Sequence, residues 1–260
     1  MRRFLLSLAA CSLSALVPAQ AAGERLTLCF ERQEVRPWRS LDHTGLNFDL
    51  LAGVARRTGV SFDYQSMPWK RCLEQLKANQ VDGAFTVSFK PDRMALGAFP
   101  GLVAGAPDPH PNRAMRMHTD SYVLVRPRGS RLDWDGKRFL NLDGRIGFQL
   151  GYSVGDFLRA HGVQADEGSQ RSDELAQKLV AGRLAGAALG GHTTANLMRG
   201  PFASRLEVVP IPLLEQPYYL VFSHALVGRN PRLAARLWEA VEATRTSAAY
   251  RQHEASVLAH

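Results

Sequence analysis

Two short runs carry the residues whose types and spacing could do chemistry: Lys90-Pro-Asp-Arg93 and Gly151-Tyr-Ser-Val-Gly155. A guanidinium just inside a short helix at a strand end can hold a carboxylate through two parallel N–H bonds. The second run matches Gly-x-Ser-x-Gly between a predicted strand and a predicted helix, the setting of a nucleophile elbow. A hydrolase built on Ser153 would draw on Asp173 with His192, His224 or His253, but no His-Gly-Gly run precedes it to form an oxyanion hole. The same turn also suits an anion cradle, and that use is preferred. Its glycines allow a tight connection, Ser153 stands where an N-cap residue belongs, and the helix start offers free backbone N–H groups. Metal and nucleotide chemistry are not expected, and no cofactor is implied. The eight histidines show no His-x-x-x-His pairing, the cysteines lack Cys-x-x-Cys spacing, and no Gly-x-x-x-x-Gly-Lys-Ser/Thr loop occurs.

Such side chains need a frame, and the hydrophobic pattern predicts one. Strands are expected over 25–31, 60–65 and 81–87, with helices over 47–58 and 69–79 between them. Strands alternating with helices of a dozen residues indicate parallel βαβ units. The stretch 99–118, with Pro100, Pro107, Pro109 and Pro111, reads as a long crossover. A strand over 121–126 follows it. A second series is then expected: strands 145–150, 185–189, 206–211 and 218–223, with helices 153–161, 173–181 and 193–198. Helices over 231–244 and 248–258 close the chain with no strands nearby to pack on, so they are expected to return to the first series. That arrangement leaves two connections between lobes and a hinge for closure.

The chain has 260 residues, 45% of them hydrophobic and 22% charged, which excludes disordered, collagen-like, coiled-coil and disulfide-dense classes. Residues 1–22 read as a signal peptide. Arg2 and Arg3 precede a 14-residue apolar run, Phe4 to Val17, and Ala19-Gln20-Ala21 offers a cleavage site. A spanning anchor would need roughly 17–25 residues. Removal of the two arginines takes the formal charge from +8 to +6 (8 − 2). The remaining basic residues are scattered singly, so nucleic acid is not an expected partner and a periplasmic, soluble monomer is. Export implies an oxidising compartment, in which Cys29, on a predicted strand, and Cys72, on the stripe Trp69, Cys72, Leu73, Leu76, are expected to pair.

Several motifs follow one another in a familiar order: MPWKRCLEQLKANQ, VDGAFTVSFKPDR, IGFQLGYSVGDFL, QKLVAGRLAGAAL and PYYLVFSHALVGRNP. The chain resembles the solute-binding proteins of amino-acid-type ABC transporters, family 3 of the type II periplasmic binding proteins, over residues 24–255. The resemblance implies an α/β, two-lobed Venus-flytrap fold, each lobe a mixed sheet flanked by helices. Lobe 1 would comprise 23–119 plus 223–260, and lobe 2 would comprise 120–222. It implies reversible capture of a small carboxylate-bearing solute, without catalysis, for an inner-membrane ABC permease or a sensor receptor. By the family pattern Arg93 binds the solute's α-carboxylate, Ser153 joins it, Ser88 lies near the ammonium, and Trp38 packs on the solute. Trp69 and Tyr152 each read equally as core and as solute wall.

The sequence departs from the family at three places. Lys90 replaces the usual threonine and adds positive charge near the cleft. The strand-end aspartate expected near Gly190 is absent, and Ala185 replaces the other common aspartate. An unpaired buried ammonium costs several kcal/mol. Glu31 is a possible substitute, and otherwise an organic anion or modified amino acid fits better. An exported enzyme on the same fold, resembling cyclohexadienyl dehydratases, is the rival reading; it would need Glu31 or His192 as general acid or base.

Overall fold

The computed structural model describes residues 23–102 and 107–259; the signal peptide expected over 1–22 lies outside them. β1 (Arg25–Glu31) turns Leu26, Leu28 and Phe30 toward one face of the sheet and Cys29 toward the other, the two-residue period of a strand buried on both faces. α1 (Leu46–Thr58) lays Leu50, Leu51 and Val54 on the first face and stops at Gly59, which adopts the left-handed conformation. β2 (Ser61–Met67) and β3 (Gly83–Ser88) flank β1, both parallel to it. α2 (Trp69–Lys77) covers the second face with Trp69, Cys72, Leu73 and Leu76. Cys72 is disulfide-bonded to Cys29, 43 residues away, with their Cα atoms 5.7 Å apart. A cross-link of that span removes on the order of 4 kcal/mol of chain entropy from the unfolded state.

After β3 a short 3-10 turn, Pro91–Ala95, carries Arg93. The crossover then reaches β4 (His118–Pro127), which begins three residues earlier than the hydrophobic pattern indicates. Beyond it lie a small hairpin of β5 (Asp133–Trp134) and β6 (Phe139–Leu140), then β7 (Ile146–Gln149), α3 (Val154–Ala160) and β8 (Ala165–Ser169). α4 (Ser172–Val180), β9 (Gly186–Gly190), α5 (Gly191–Leu197) and β10 (Leu206–Val208) complete the second series. β8 was not expected from sequence. Ala-Asp-Glu-Gly-Ser lacks the β-branched residues of a strand, and parallel pairing with β7 at the sheet edge holds it instead.

β11 (Leu214–Phe222) and β4 join the two series. Leu214 to Tyr218 pair with Tyr122 to His118, while Tyr218 to Phe222 pair with Ser88 to Gly83. Further along, Tyr122 to Val125 pair with Gly190 to Ala187 of β9. One sheet therefore runs β2-β1-β3-β11-β4-β9-β7-β8, with β10 beside β4. α6 (His224–Arg229), α7 (Pro231–Arg245) and α8 (Ala248–Leu258) end the described chain. α7 buries Leu233, Leu237, Trp238 and Val241 among the residues of β1 and α1. The Trp238 indole also donates to the Leu220 carbonyl at 2.9 Å. The second series has its own two cores, one around Leu124, Ile146, Phe148 and Leu158, the other around Leu175, Leu179, Ala187 and Leu206. Among the described residues no helix is long and apolar enough to cross a membrane.

Candidate functional site

Between the two series lies a cavity of about 50 Å³ walled by Glu31, Trp38, Arg39, Trp69, Ser88, Arg93, His118, Asp120, Tyr122, Tyr152, Gly190 and Tyr218, with Val35, Thr86 and Thr193. Arg93 is 3% exposed. Its Nη1 donates to the Ser88 carbonyl at 2.7 Å and to the Ser88 hydroxyl at 2.6 Å, and its Nη2 donates to the Gly151 carbonyl at 2.6 Å. Gly151 supplies that carbonyl from a turn at φ 78°, a conformation glycine takes without steric cost. A guanidinium has five N–H donors, so one on Nε and one on Nη2 have no hydrogen-bond partner among the described residues. Among the described residues no carboxylate pairs with it; its charge faces neutral oxygens and the Trp69 ring, 5.7 Å from Cζ to centroid. Burial lowers its pKa, with the charges of Tyr122 and Asp92 opposing.

Ser88 and Ser153 meet across the cleft, Oγ to Oγ at 2.9 Å. Ser153 precedes α3 but makes no capping bond, and it lies behind the cavity wall, outside its lining. The nucleophile-elbow reading fails on geometry: His192 lies beside Asp120, His224 is bonded to the Met94 carbonyl, His253 to Asp49 and Asp173 to Arg171, so among the described residues no histidine is hydrogen-bonded to Ser153. Lys90 requires a second correction. Its Nζ lies 3.0 Å from Asp92 and 3.0 Å from Asp156, outside the cavity lining, so two carboxylates already take the charge that was expected to face the cleft.

Glu31 is the third correction. It lines the cavity, but Arg39 Nη2 holds its carboxylate at 2.9 Å and the Tyr152 hydroxyl donates to the same oxygen. Arg39 thus already meets the charge of this carboxylate, which weakens it as the counter-charge of a solute ammonium. Burial raises the Glu31 pKa, with Arg39 and then Tyr152 pulling it back. Arg39 is fixed in turn by the Gln33 carbonyl and the Thr86 hydroxyl. Thr86 has φ 59°, an outlier for a β-branched residue and a mark of strain at a cavity wall. Trp69 belongs to both readings offered for it, packed in the core with Cys72 and Leu73 and exposed to the cavity at one edge.

Of the wall residues that the sequence did not single out, three lie on one strand: His118, Asp120 and Tyr122. They alternate along β4, so all three point to one face of the strand. His118 stacks between Trp38 (centroids 4.0 Å) and Tyr218 (5.0 Å). Burial, then the charges of Arg39 and His192, push its pKa well below the usual histidine value, so the ring is neutral. Nε1 of Trp38 and Nδ1 of His118 are buried without a partner among the described residues. His192 stands behind Asp120 and does not line the cavity. The signal that could have found these residues is the alternation in His-Thr-Asp-Ser-Tyr, hidden because the strand was expected to start only at 121, which left His118 in the proline-rich crossover and Asp120 between the two.

The fold is shared with solved structures. It superposes on the ligand-binding core of GluR0 from Nostoc punctiforme in complex with L-glutamate, with TM-score 0.66 and 13% identity, covering 89% of this chain and 98% of that one. It also superposes on ArtJ, the arginine-, lysine-, histidine-binding protein of Geobacillus stearothermophilus, with TM-score 0.70 and 15% identity over 91% and 96%.

The fold is that of a two-lobed periplasmic binding protein.

A histidine kinase sensor domain with similarity to periplasmic binding proteins shares this periplasmic-binding fold, with TM-score 0.69 and 16% identity over 91% and 97%. Residues 32–101 match the model of bacterial extracellular solute-binding proteins, family 3, so the resemblance read from the motifs holds on that stretch. No curated protein matches the chain's sequence at a significant level.

Proposed function

We propose that this chain is an exported, periplasmic solute-binding protein that captures a small carboxylate-bearing solute between its lobes, with Arg93 as the anchor of the carboxylate. The observation that carries this reading is a nearly fully buried guanidinium on the cavity wall, without a carboxylate partner and with two N–H donors to spare. Burying a charge is costly unless an opposite charge meets it, and a solute carboxylate supplies one. The orphaned nitrogens of Trp38 and His118 on the same wall support the same reading. The lobe boundaries follow as 23–119 plus 223–260 and 120–222, with β4 and β11 as the linking strands. Closure joins Arg93 to Gly151, Ser88 to Ser153, Glu31 to Tyr152 and Gln33 to Gln149. Binding is reversible and without chemistry, since Glu31 is held by Arg39 and Ser153 by Ser88.

Delivery to an ABC-type permease is the role favoured by the family match; the sensor-domain neighbour gives a receptor partner as the second reading. Calorimetric titration of protein refolded from denaturant against amino acids and organic acids tests the capture itself. Binding should be lost in Arg93→Gln, and unchanged affinity in that variant would refute the anchor.

A further inference from the structure

Asp120 has no part in the carboxylate anchor, yet its carboxylate lines the same cavity as Arg93 with its side chain only 12% exposed. Among the described residues it accepts hydrogen bonds only from backbone groups, Ser121 N–H at 2.8 Å and His192 N–H at 3.4 Å. The cation-capable atom nearest it is Nε2 of His192, at 4.0 Å. Two glycines make room for it. A Cβ on Gly190 would lie 3.3 Å from Asp120 Oδ2, and one on Gly191 would lie 3.0 Å from Oδ1. Gly190 ends β9 directly beside Tyr122 of β4, so the carboxylate reaches from β4 into the space where the end of β9 has no side chain. The lack of an acid at the end of β9 and the acid on β4 are thus one feature of the fold.

We infer that Asp120, carried by the linking strand β4 and admitted by Gly190-Gly191, is the counter-charge for the ammonium of a zwitterionic solute, an inference resting on a solute carboxylate at Arg93. The cavity then holds one buried positive and one buried negative group, each without an ionic partner of its own within 3.5 Å, while the third charge pair, Arg39 with Glu31, is self-contained. A simple organic anion would leave Asp120 buried and unpaired, an arrangement that disfavours it. The stacked rings of Trp38, His118 and Tyr218 add aromatic faces to the same cavity, suited to a cation beside the carboxylate. Burial also raises the Asp120 pKa, opposed by the nearby His192, as for a carboxylate lacking a full partner.

The test titrates refolded protein with the twenty standard amino acids and, for each that binds, the 2-hydroxy acid bearing the same side chain. The amino acid should bind at least about 100-fold more tightly than its hydroxy counterpart, the scale set by an unpaired buried charge. Asp120→Asn should bring the two within about fivefold by weakening the amino acid alone, whereas Arg93→Gln should weaken both. Asp120→Ser serves if the asparagine variant melts early, and Gly190→Asp added to it should restore the preference for the amino acid. Equal wild-type affinity for the two solutes, no amino acid bound, or a preference that survives Asp120→Asn overturns the ammonium assignment and leaves the carboxylate anchor standing. Unchanged binding of both solutes in Arg93→Gln removes the anchor itself, and the inference with it.

Discussion

Two arginines from the first series of strands and helices line the same cavity, and their surroundings differ in one respect. Arg39 is 8% exposed and faces Glu31 at 2.9 Å; Arg93 is 3% exposed and faces only neutral oxygens. The first region is electrically complete. It ties β1 to the loop that follows it and, through Tyr152, to lobe 2. The second is positioned with equal care by Ser88 and Gly151 but lacks its anion. The contrast teaches that burial of a charge does not by itself mark a binding residue. The missing partner does.

The largest effect that tests this contrast belongs to the completed pair. Glu31→Ala should destabilise the protein by about 3–5 kcal/mol, because it leaves Arg39 buried and uncompensated. Denaturant unfolding measures it, and a loss below about 1 kcal/mol would show that Arg39 does not depend on Glu31. Next in size, and opposite in kind, is Arg93→Met. Solute affinity should fall by at least about 100-fold, or 2.7 kcal/mol, while the ligand-free protein becomes no less stable because a partnerless buried charge has been removed. Should Arg93→Met unfold the protein as readily as Glu31→Ala does, the two arginines would not differ and the comparison would fail.

The same contrast explains what was legible in the sequence. Elements whose hydrophobic pattern is strong were readable: β1, α1 and α2 fall within two residues of expectation. So was the pairing of Cys29 with Cys72, since both lie on core-facing stripes. Trp38, Ser88 and Arg93, offered chiefly by the family resemblance, and Glu31, Trp69 and Tyr152, offered by their places in the predicted elements, do line one cavity. What sequence could not show was which charge neutralises which. Glu31 and Arg39 stand eight residues apart and meet only because the chain folds back after β1. Lys90 meets Asp156 across the cleft, an encounter between lobes that no local pattern encodes. Asp120 was overlooked for a different reason. The strand that presents it begins at His118, where polar residues and preceding prolines mask the two-residue alternation.

A smaller effect distinguishes the Arg39 side of the cavity through pH. His118 is held neutral by burial and by the charges of Arg39 and His192, its pKa well below that of an unfolded histidine. The unfolded chain therefore takes up a proton that the native state refuses. Stability is fully present above about pH 6.5 and declines as pH falls below it toward the native value, by up to about 1.4 kcal/mol per unit. His118→Phe should flatten this decline in unfolding measured between pH 7 and 5. Glu31 acts in the opposite sense: its raised carboxyl contributes stability at low pH that is lost as pH rises through the native value. The difference between wild type and His118→Phe isolates the histidine, and an unchanged slope would mean that His118 does not titrate on unfolding.

The smallest effect belongs to a third cation in the same neighbourhood. Lys90 resembles Arg39 in having carboxylate partners and Arg93 in lying close to β3, but its partners Asp92 and Asp156 are 68% and 48% exposed. Pairs so open to water contribute under about 1 kcal/mol. Lys90→Ala should therefore weaken solute binding by less than about fivefold, and the difference from wild type should shrink further in high salt as screening takes over. Asp156 joins the lobes through this pair. Burial tends to raise its carboxyl, but the hydrogen bonds from Lys90 and Arg159 more than offset that and hold it below the usual aspartate value. Its contribution to closure is present at neutral pH and fades only as pH falls through that lowered value. A hundredfold loss of affinity in Lys90→Ala would place its ammonium on the solute, and a half-buried, doubly paired lysine would then be doing what a buried, unpaired arginine is assigned to do.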